Sequence, residues 1–305
     1  MFLMIVKQCF TGDVDLPTNQ LTTLLAIAEH GTFEAAARAL DLTPSAVSQR
    51  IRALETAAGQ VVVQRTTPCR PTTAGEVLLR LARQHRLLAE EAQAALEPPG
   101  DAVGLAVAVN ADSLATWFGD VITEVATWES VALRLHVEDQ AWSADLLRRG
   151  EVLAAVTSDP TPVQGCRVTR LGAMRYRPAA SPAYAERWRR GRSHDWAAMP
   201  VVRFNDKDRL QHDLLAARGL GDPPVVHRVP TSADFLEAVR RGLGWGLLPE
   251  QQLRPGLADG TLVRLGAASS AVDVPLHWMR WRLDSPALSR LGDAVAVAAR
   301  GHLRR

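Results

Sequence analysis

The chain has 305 residues, 47% of them hydrophobic and 22% charged, with a formal net charge of +2. This is the composition of a globular protein of two or three domains, and no apolar run approaches the roughly 20 residues that cross a bilayer. Bulk charge singles out no nucleic-acid partner, so any such reading must rest on where the charges lie.

The opening stretch MFLMIVKQCFTGDVD has a short apolar patch, no preceding basic residue and no small-residue cleavage site. Residues 1–15 therefore read as a disordered leader or a misplaced start, not an export signal. Cys9, Cys69 and Cys166 are odd in number and share no metal-ligand spacing, which suits a reducing cytoplasm and implies no metal.

LTTLLAIAEHG then puts Leu21, Leu24, Leu25 and Ala28 on one helical stripe that stops at Gly31. Thr32 can cap a second helix, FEAAARAL, whose small face of Ala35, Ala36 and Ala37 admits a close neighbour. After the short link DLT, Thr43 and Pro44 form an N-cap and first helical position. The helix they open, TPSAVSQRIRALE, has two faces. Val47, Ile51 and Leu54 form an apolar stripe, while Ser45, Ser48, Gln49 and Arg52, with Arg50 beside them, form a hydrogen-bonding one. Two short helices joined by a tight turn make a helix-turn-helix, which places its second helix in the DNA major groove. Serine and glutamine read base edges there, and arginines hold phosphates or guanine.

Over residues 16–96 eight arginines face seven acids, but Arg50, Arg52, Arg65 and Arg70 against Glu55 give a local +3 between residues 45 and 70. GQVVVQRTTPCRPTTAG is β-branched at Val61, Val62 and Val63 and then turns, which reads as a two-stranded wing. It carries Arg65 and Arg70 toward the sugar-phosphate backbone. Thr73 to Glu76 has the form of a capping box for a long helix. On that helix Leu78, Leu81, His85, Leu88, Ala92 and Ala95 follow a 3-4-3-4-3 spacing, the seam of a coiled-coil dimer. The helix should end at Glu97-Pro-Pro-Gly100.

Helix-turn-helix with AAxxLxxTPSAVSQRIRALE, the wing ending in TTAG, and a following seam helix together resemble the LysR-type transcriptional regulators. Val63 and Gln49 stand where that family commonly has Phe and often has Arg, so no particular base preference is carried over. The resemblance implies a winged helix-turn-helix over 16–72, a dimerisation helix over 73–97 and a ligand-sensing domain over 101–305.

The last two hundred residues alternate strand and helix: VGLAVAVN, ADSLATWFGDVITEVATW, VALRLHV, WSADLLRRGEV, LAAVTS. A second such unit begins near Tyr176. The pattern is that of an α/β domain with a mostly parallel sheet. In the family, the chain returns to its first subdomain at the end. The result is a two-lobed, periplasmic-binding-protein-like effector domain, here with lobe I about 101–174 and 270–305 and lobe II about 175–269. Asn110 to Ser113 and Pro230 to Asp234, the latter holding Thr231 and Ser232, follow strands where helix N-termini meet anions. Each stretch also reads simply as an N-cap.

VNADSLATW, AAVTSDPTPVQGCRV, ASPAY, GLGWGLLPE and PCRPTTAG are similar to the ArgP/LysG branch of the family, which senses basic amino acids and controls a lysine and arginine exporter. That resemblance implies an α-carboxylate at Ser113 or Ser232 and an acid for the side-chain cation, with Asp112, Asp139 and Asp206 as candidates. It also implies a homodimer or homotetramer, double-stranded DNA and L-lysine, L-arginine or L-histidine as partners, RNA polymerase as a further one, no membrane and no cofactor.

An enzyme is the first rival. The glycines of GLGWG follow a helix and precede a strand, the reverse of a dinucleotide loop, and Gly242 suits a helix C′ position. No phosphate-loop, zincin or nucleophile-elbow motif is present, and the eight histidines form no ligand cluster. A solute-binding protein would need export, and an architectural DNA-bending protein would leave two hundred residues of ligand-type fold unexplained.

Overall fold

The computed structural model describes residues 16–96, 102–129, 131–137 and 140–305. They fall into two compact units, one containing the N-terminal residues and one comprising residues 102–147 and 152–305.

The first unit opens with helices α1 (Thr18–His30), α2 (Phe33–Ala39) and α3 (Pro44–Ala58). Local sequence sets each end: Gly31 adopts φ +77° after α1, and Thr32 and Thr43 accept the N–H groups of Ala35 and Ala46. Strands β1 (Val63–Gln64) and β2 (Arg70–Pro71) pair antiparallel as the wing, and α4 (Thr73–Leu96) follows. Leu24, Ile27, Ala36, Val47, Ile51 and Leu54 are at most 1% exposed and form one core with Leu78, Leu79 and Ala82 of α4.

Two expectations for α4 change. Its cap is Thr72, whose hydroxyl accepts the Gly75 N–H at 3.1 Å, so the helix starts inside the anticipated capping box. Leu78 is packed into the N-terminal core and cannot belong to a seam; the exposed apolar stripe runs instead through Val77, Leu81 and Leu88, with His85 and Ala92 exposed on it. The 3.6-residue turn explains the change, because positions 78, 79 and 82 already face the core. Gly75 lies where α4 meets the wing: a Cβ there would sit 2.0 Å from the Val62 carbonyl oxygen.

The second unit runs β3 (Val103–Val109), α5 (Ala111–Leu114), α6 (Phe118–Val125), β4 (Val131–Val137), α7 (Gln140–Arg148), β5 (Ala154–Thr157) and β6 (Cys166–Ala180). It continues with α8 (Pro182–Arg187), β7 (Arg189–Arg190), β8 (Ser193–His194), β9 (Val201–Arg203), α9 (Leu210–Ala216), β10 (Val226–Arg228), α10 (Ser232–Arg240), β11 (Gly246–Pro249), α11 (Glu250–Ala258) and β12 (Val263–Arg264). It closes with β13 (Val272–Trp281) and α12 (Pro286–His302).

The main sheet has the order β11-β6-β13-β5-β3-β4, with β12 added on β6. It is mixed, not mostly parallel. In it β3 pairs parallel with β4 and β5, whereas β13 runs antiparallel to β5 and β6, and β11 and β12 antiparallel to β6; β9 and β10 pair parallel as a separate two-stranded sheet. The difference comes from two long strands, β6 of 15 residues and β13 of 10, that carry the chain into the second half of the domain and back. The bidentate pair from Arg175 to its cross-strand partner Asp273, at 2.7 and 2.5 Å, fixes their register. Leu105, Val107, Ala108 and Val109 of β3 are fully buried, the continuous apolar run of a central parallel strand. Ala179, Val202, Val239, Leu248 and Leu253 form the core of the second half. Gly242, at φ +79°, ends α10, so the GLGWG stretch is a helix stop leading into β11.

Candidate DNA-recognition face and effector cavity

α3 is seated by Val47, Ile51 and Leu54, which leaves Thr43, Pro44, Ser45, Gln49 and Arg52 exposed and Ser48 and Arg50 half-buried on the other side. The Thr43 and Ser45 hydroxyls lie 3.0 Å apart at its N-terminus. The wing is fixed to the helices at three points. Glu55 accepts the Val62 N–H at 3.0 Å, the Cys69 N–H donates to the Gly31 carbonyl at 2.7 Å, and the Thr72 hydroxyl donates to the Val61 carbonyl at 2.7 Å. The Arg65 guanidinium stacks 4.7 Å from the Phe33 ring centroid, and Arg70 stands exposed opposite Gln64. Arg50, Arg52, Arg65 and Arg70 have no carboxylate within 4.0 Å among the described residues, so their charge faces outward. A helix with an uncharged hydrogen-bonding face flanked by such arginines has the chemistry of major-groove readout with backbone clamps. Cys69 lies between the two wing strands, and burial and the Glu34 charge raise its thiol pKa against the opposing charge of Arg65.

In the second unit a cavity of about 700 Å³ lies where residues 110–112, the turn 204–211, α10, α11 and the crossing strands converge. At its centre is Asp112. The Tyr176 hydroxyl donates to its Oδ2 and the Ser232 hydroxyl to its Oδ1, both at 2.8 Å, while Gln252 Nε2 donates to Ser232 Oγ at 2.9 Å. Burial pushes the Asp112 carboxyl pKa up, the two hydroxyl donors oppose this, and the charge of Asp208 adds to it. Burial also pushes Tyr176 well up, reinforced by Asp112, so its hydroxyl stays a donor.

Asp208 is a second half-buried acid on the wall. Backbone N–H groups of Phe204 and Leu210 reach it at 3.0 and 3.1 Å, and these, Gln211 and the Arg203 charge only partly offset a burial that raises its pKa. Neither Asp112 nor Asp208 has an ion-pair partner among the described residues. Asn110 Oδ1 and Gln211 Oε1 are buried acceptors on the same wall without hydrogen-bond partners. Lys207 and Arg209 line the cavity as well.

Of the anticipated effector residues, Asp112 and Ser232 meet in this network. Asp206 lines the cavity but pairs with Arg228 at 2.5 Å and is 76% exposed, so its charge is already committed. Ser113 is buried with its hydroxyl unpartnered and does not line the cavity, and Thr231 faces outward, capping α10 at the Asp234 N–H. Asp139 lies outside the described residues. Asn110 opens the first of the two stretches picked out by their place after strands, whereas Asp208, Tyr176, Gln252 and Gln211 join the site with no such signal in the sequence. Asp208 sits two residues from Asp206 in the same polar turn, and spacing alone cannot say which of the two folds inward.

Residues 18–76 match the bacterial regulatory helix-turn-helix protein, lysR family, and residues 104–300 the LysR substrate binding domain. The lysine export transcriptional regulatory protein LysG of Corynebacterium efficiens is 51% identical over 288 residues, 93% of this chain and 98% of that protein. Full-length LysG from Corynebacterium glutamicum with bound effector Arg superposes with a TM-score of 0.80 at 46% identity, covering 95% of this chain and 100% of that one. ArgP from Mycobacterium tuberculosis gives 0.87 at 44% identity, covering 95% and 99%. With the two matches together spanning most of the chain, it belongs to the LysR family of bacterial helix-turn-helix regulators.

Proposed function

We propose that this chain is a cytoplasmic, ligand-responsive transcription regulator. It binds operator DNA through α3 and the wing, senses a basic amino acid in the cavity of its second unit, and controls an amino-acid exporter gene. The observation that carries the effector reading is a single cavity with two half-buried carboxylates, Asp112 and Asp208, and no cation paired to either among the described residues. Buried charge without a partner is costly, so a ligand that brings positive charge there gains the full benefit of pairing. Lysine, arginine and histidine supply an α-ammonium and a side-chain cation, and the unpartnered acceptors of Asn110 and Gln211 suit their N–H groups. Lys207 and Arg209 also line this cavity and bring positive charge to it, Arg209 alongside its pair with Asp213 at 3.4 Å. The bound arginine of the C. glutamicum relative and the export role in the C. efficiens relative's name support the same reading.

On DNA, the protein acts as a homo-oligomer whose paired winged helices meet a dyad-like site with half-sites about one helical turn apart. The test is a thermal melt with L-lysine, L-arginine and L-histidine, against L-leucine and L-glutamate. A ligand at about 100 times its Kd adds roughly 2.7 kcal/mol, enough to raise the midpoint by several degrees. A rise confined to basic amino acids is expected; a rise with the controls alone, or with none, overturns the effector assignment and leaves the family membership untouched.

A further inference from the structure

Away from the effector cavity, the sheet of the second unit carries a second concave site. A cavity of about 530 Å³ is lined by Arg167, Arg280, Arg282, Leu283 and Asp284. Arg167 on β6 and Arg280 on β13 are direct cross-strand partners, so two guanidinium groups stem from one rung of the sheet. Like charges in that position repel. Arg282 follows two residues later, where the chain leaves β13 toward α12. None of the three has a carboxylate within 4.0 Å among the described residues; Asp284 lines the cavity without reaching that distance, leaving three positive charges against one negative. Arg280 Nη1 is buried and has no hydrogen-bond acceptor. Some arginines elsewhere in this unit are paired, as Arg175 is to Asp273, Arg177 to Glu250 and Arg203 to Asp222. Repelling guanidiniums, a buried donor left open and a cavity in front of them form an arrangement that an anion with several oxygens would complete, by the forked hydrogen bonds arginine makes to phosphate and carboxylate groups.

We propose that this arginine-lined cavity binds a small oxyanion, phosphate-like or polycarboxylate, as a second ligand site distinct from the effector cavity. It would give the regulator an input of opposite charge to the basic amino acid. The site shares no residue with the effector cavity, so each can be tested while the other is intact.

The experiment is thermal melting and calorimetric titration of the full chain with inorganic phosphate, then citrate, against sodium chloride of matched ionic strength. At about ten times its Kd the anion should raise the midpoint by roughly 2–6 °C, beyond any effect of salt alone. Arg280→Met keeps most of the apolar stem and should abolish the rise. Arg167→Ala, at an exposed position that folding does not need, should weaken binding at least 10-fold and keeps the test decisive should Arg280→Met fail to fold. Lys207→Ala in the effector cavity should leave phosphate binding unchanged. No rise over chloride in the unaltered protein, or a rise that survives Arg167→Ala and disappears in Lys207→Ala, overturns the assignment.

Discussion

Asp112 and Ser232 are 120 positions apart in the chain, yet the Ser232 hydroxyl donates to Asp112 Oδ1 at 2.8 Å at the wall of the effector cavity. One belongs to the first half of the domain, just after β3, and the other opens α10 in the second. The same carboxylate takes the Tyr176 hydroxyl from the crossing strand β6. One acid thus joins three parts of the fold at the point where a ligand's cation would arrive. A cation that replaces these donors changes what holds the halves together, which is how a small ligand biases a two-state element.

Asp112→Asn should preserve the shape of this junction, because both hydroxyl partners can accept as well as donate. It removes the charge. Loss of one charge-assisted hydrogen bond costs about 1.5–3 kcal/mol, so affinity for L-arginine or L-lysine should fall roughly 10- to 100-fold in calorimetry. Without effector the variant should melt higher than the unaltered protein, since a buried, raised-pKa carboxylate is destabilising when ionised. Unchanged affinity would remove Asp112 from the binding set.

Effector affinity should depend on pH with a definite sign. The pKa values of Asp112 and Asp208 are both raised by burial in the unliganded protein, and a bound cation favours their ionised forms. Binding therefore releases protons as pH falls into the raised range of these two carboxyls, and affinity drops there. The same shifts act on stability: the folded, empty protein binds more protons than the unfolded chain in that range, so its stability declines as pH rises through it. Titrations between about pH 4.5 and 7.5 in two buffers of different ionisation heat read the proton release directly. A flat affinity and no buffer dependence would contradict the ionised-pair assignment.

Gln49 and Arg65 should separate on DNA. Gln49 is exposed on the hydrogen-bonding face of α3, and Gln49→Ala should cost about 1–3 kcal/mol on operator DNA and little on random DNA. Arg65, stacked on Phe33 at the wing, belongs with the backbone contacts. Arg65→Ala should weaken operator and random DNA alike and lower the slope of log affinity against log salt by about 1. Binding curves at several salt concentrations decide it, and equal loss of discrimination in both variants would reverse the groove assignment.

Gly75→Ala should destabilise the N-terminal unit by about 2–3 kcal/mol, because the new methyl group would lie 2.0 Å from the Val62 carbonyl and backbone would have to move. The expected signature is an early melting transition in the N-terminal unit with effector binding intact. A melt like that of the unaltered protein would mean the wing–α4 junction is looser than its geometry implies.

The N-terminal unit was the more legible part of the sequence because its rules are local. Thr32, Thr43 and Pro44 mark helix starts, Gly31 a stop, and the Val47-Ile51-Leu54 stripe the buried face, all within one or two turns. The wing shows in the β-branched run Val61 to Val63 and the turn after it, and Val63 pairs with Pro71. The effector cavity was less legible because its members meet through tertiary contacts: Asp112, Tyr176, Ser232 and Gln252 come from four separated segments. Asp112 and Ser232 could be picked from their places after strands. Nothing local showed that Asp208 turns inward while Asp206 turns to Arg228, or that β6 and β13 would make the sheet mixed.

The last prediction concerns α4, where helical phase separates two leucines that look alike in the sequence. Leu78 is 8% exposed in the N-terminal core, whereas Leu81 and Leu88 are 40% and 41% exposed on a stripe that begins at Val77. Exposed apolar residues at four- and seven-residue spacing on a helix of 24 residues have the form of a seam for a second copy. Leu81→Asp with Leu88→Asp should therefore yield a folded monomer in sedimentation, with helix content and effector binding retained. Leu78→Asp should instead unfold the N-terminal unit, because it places an unpaired charge among Leu24, Ile51 and Leu79. If the double variant sediments at the mass of the unaltered protein, the α4 stripe is not the contact between copies, and the paired winged helices must be brought together by another surface.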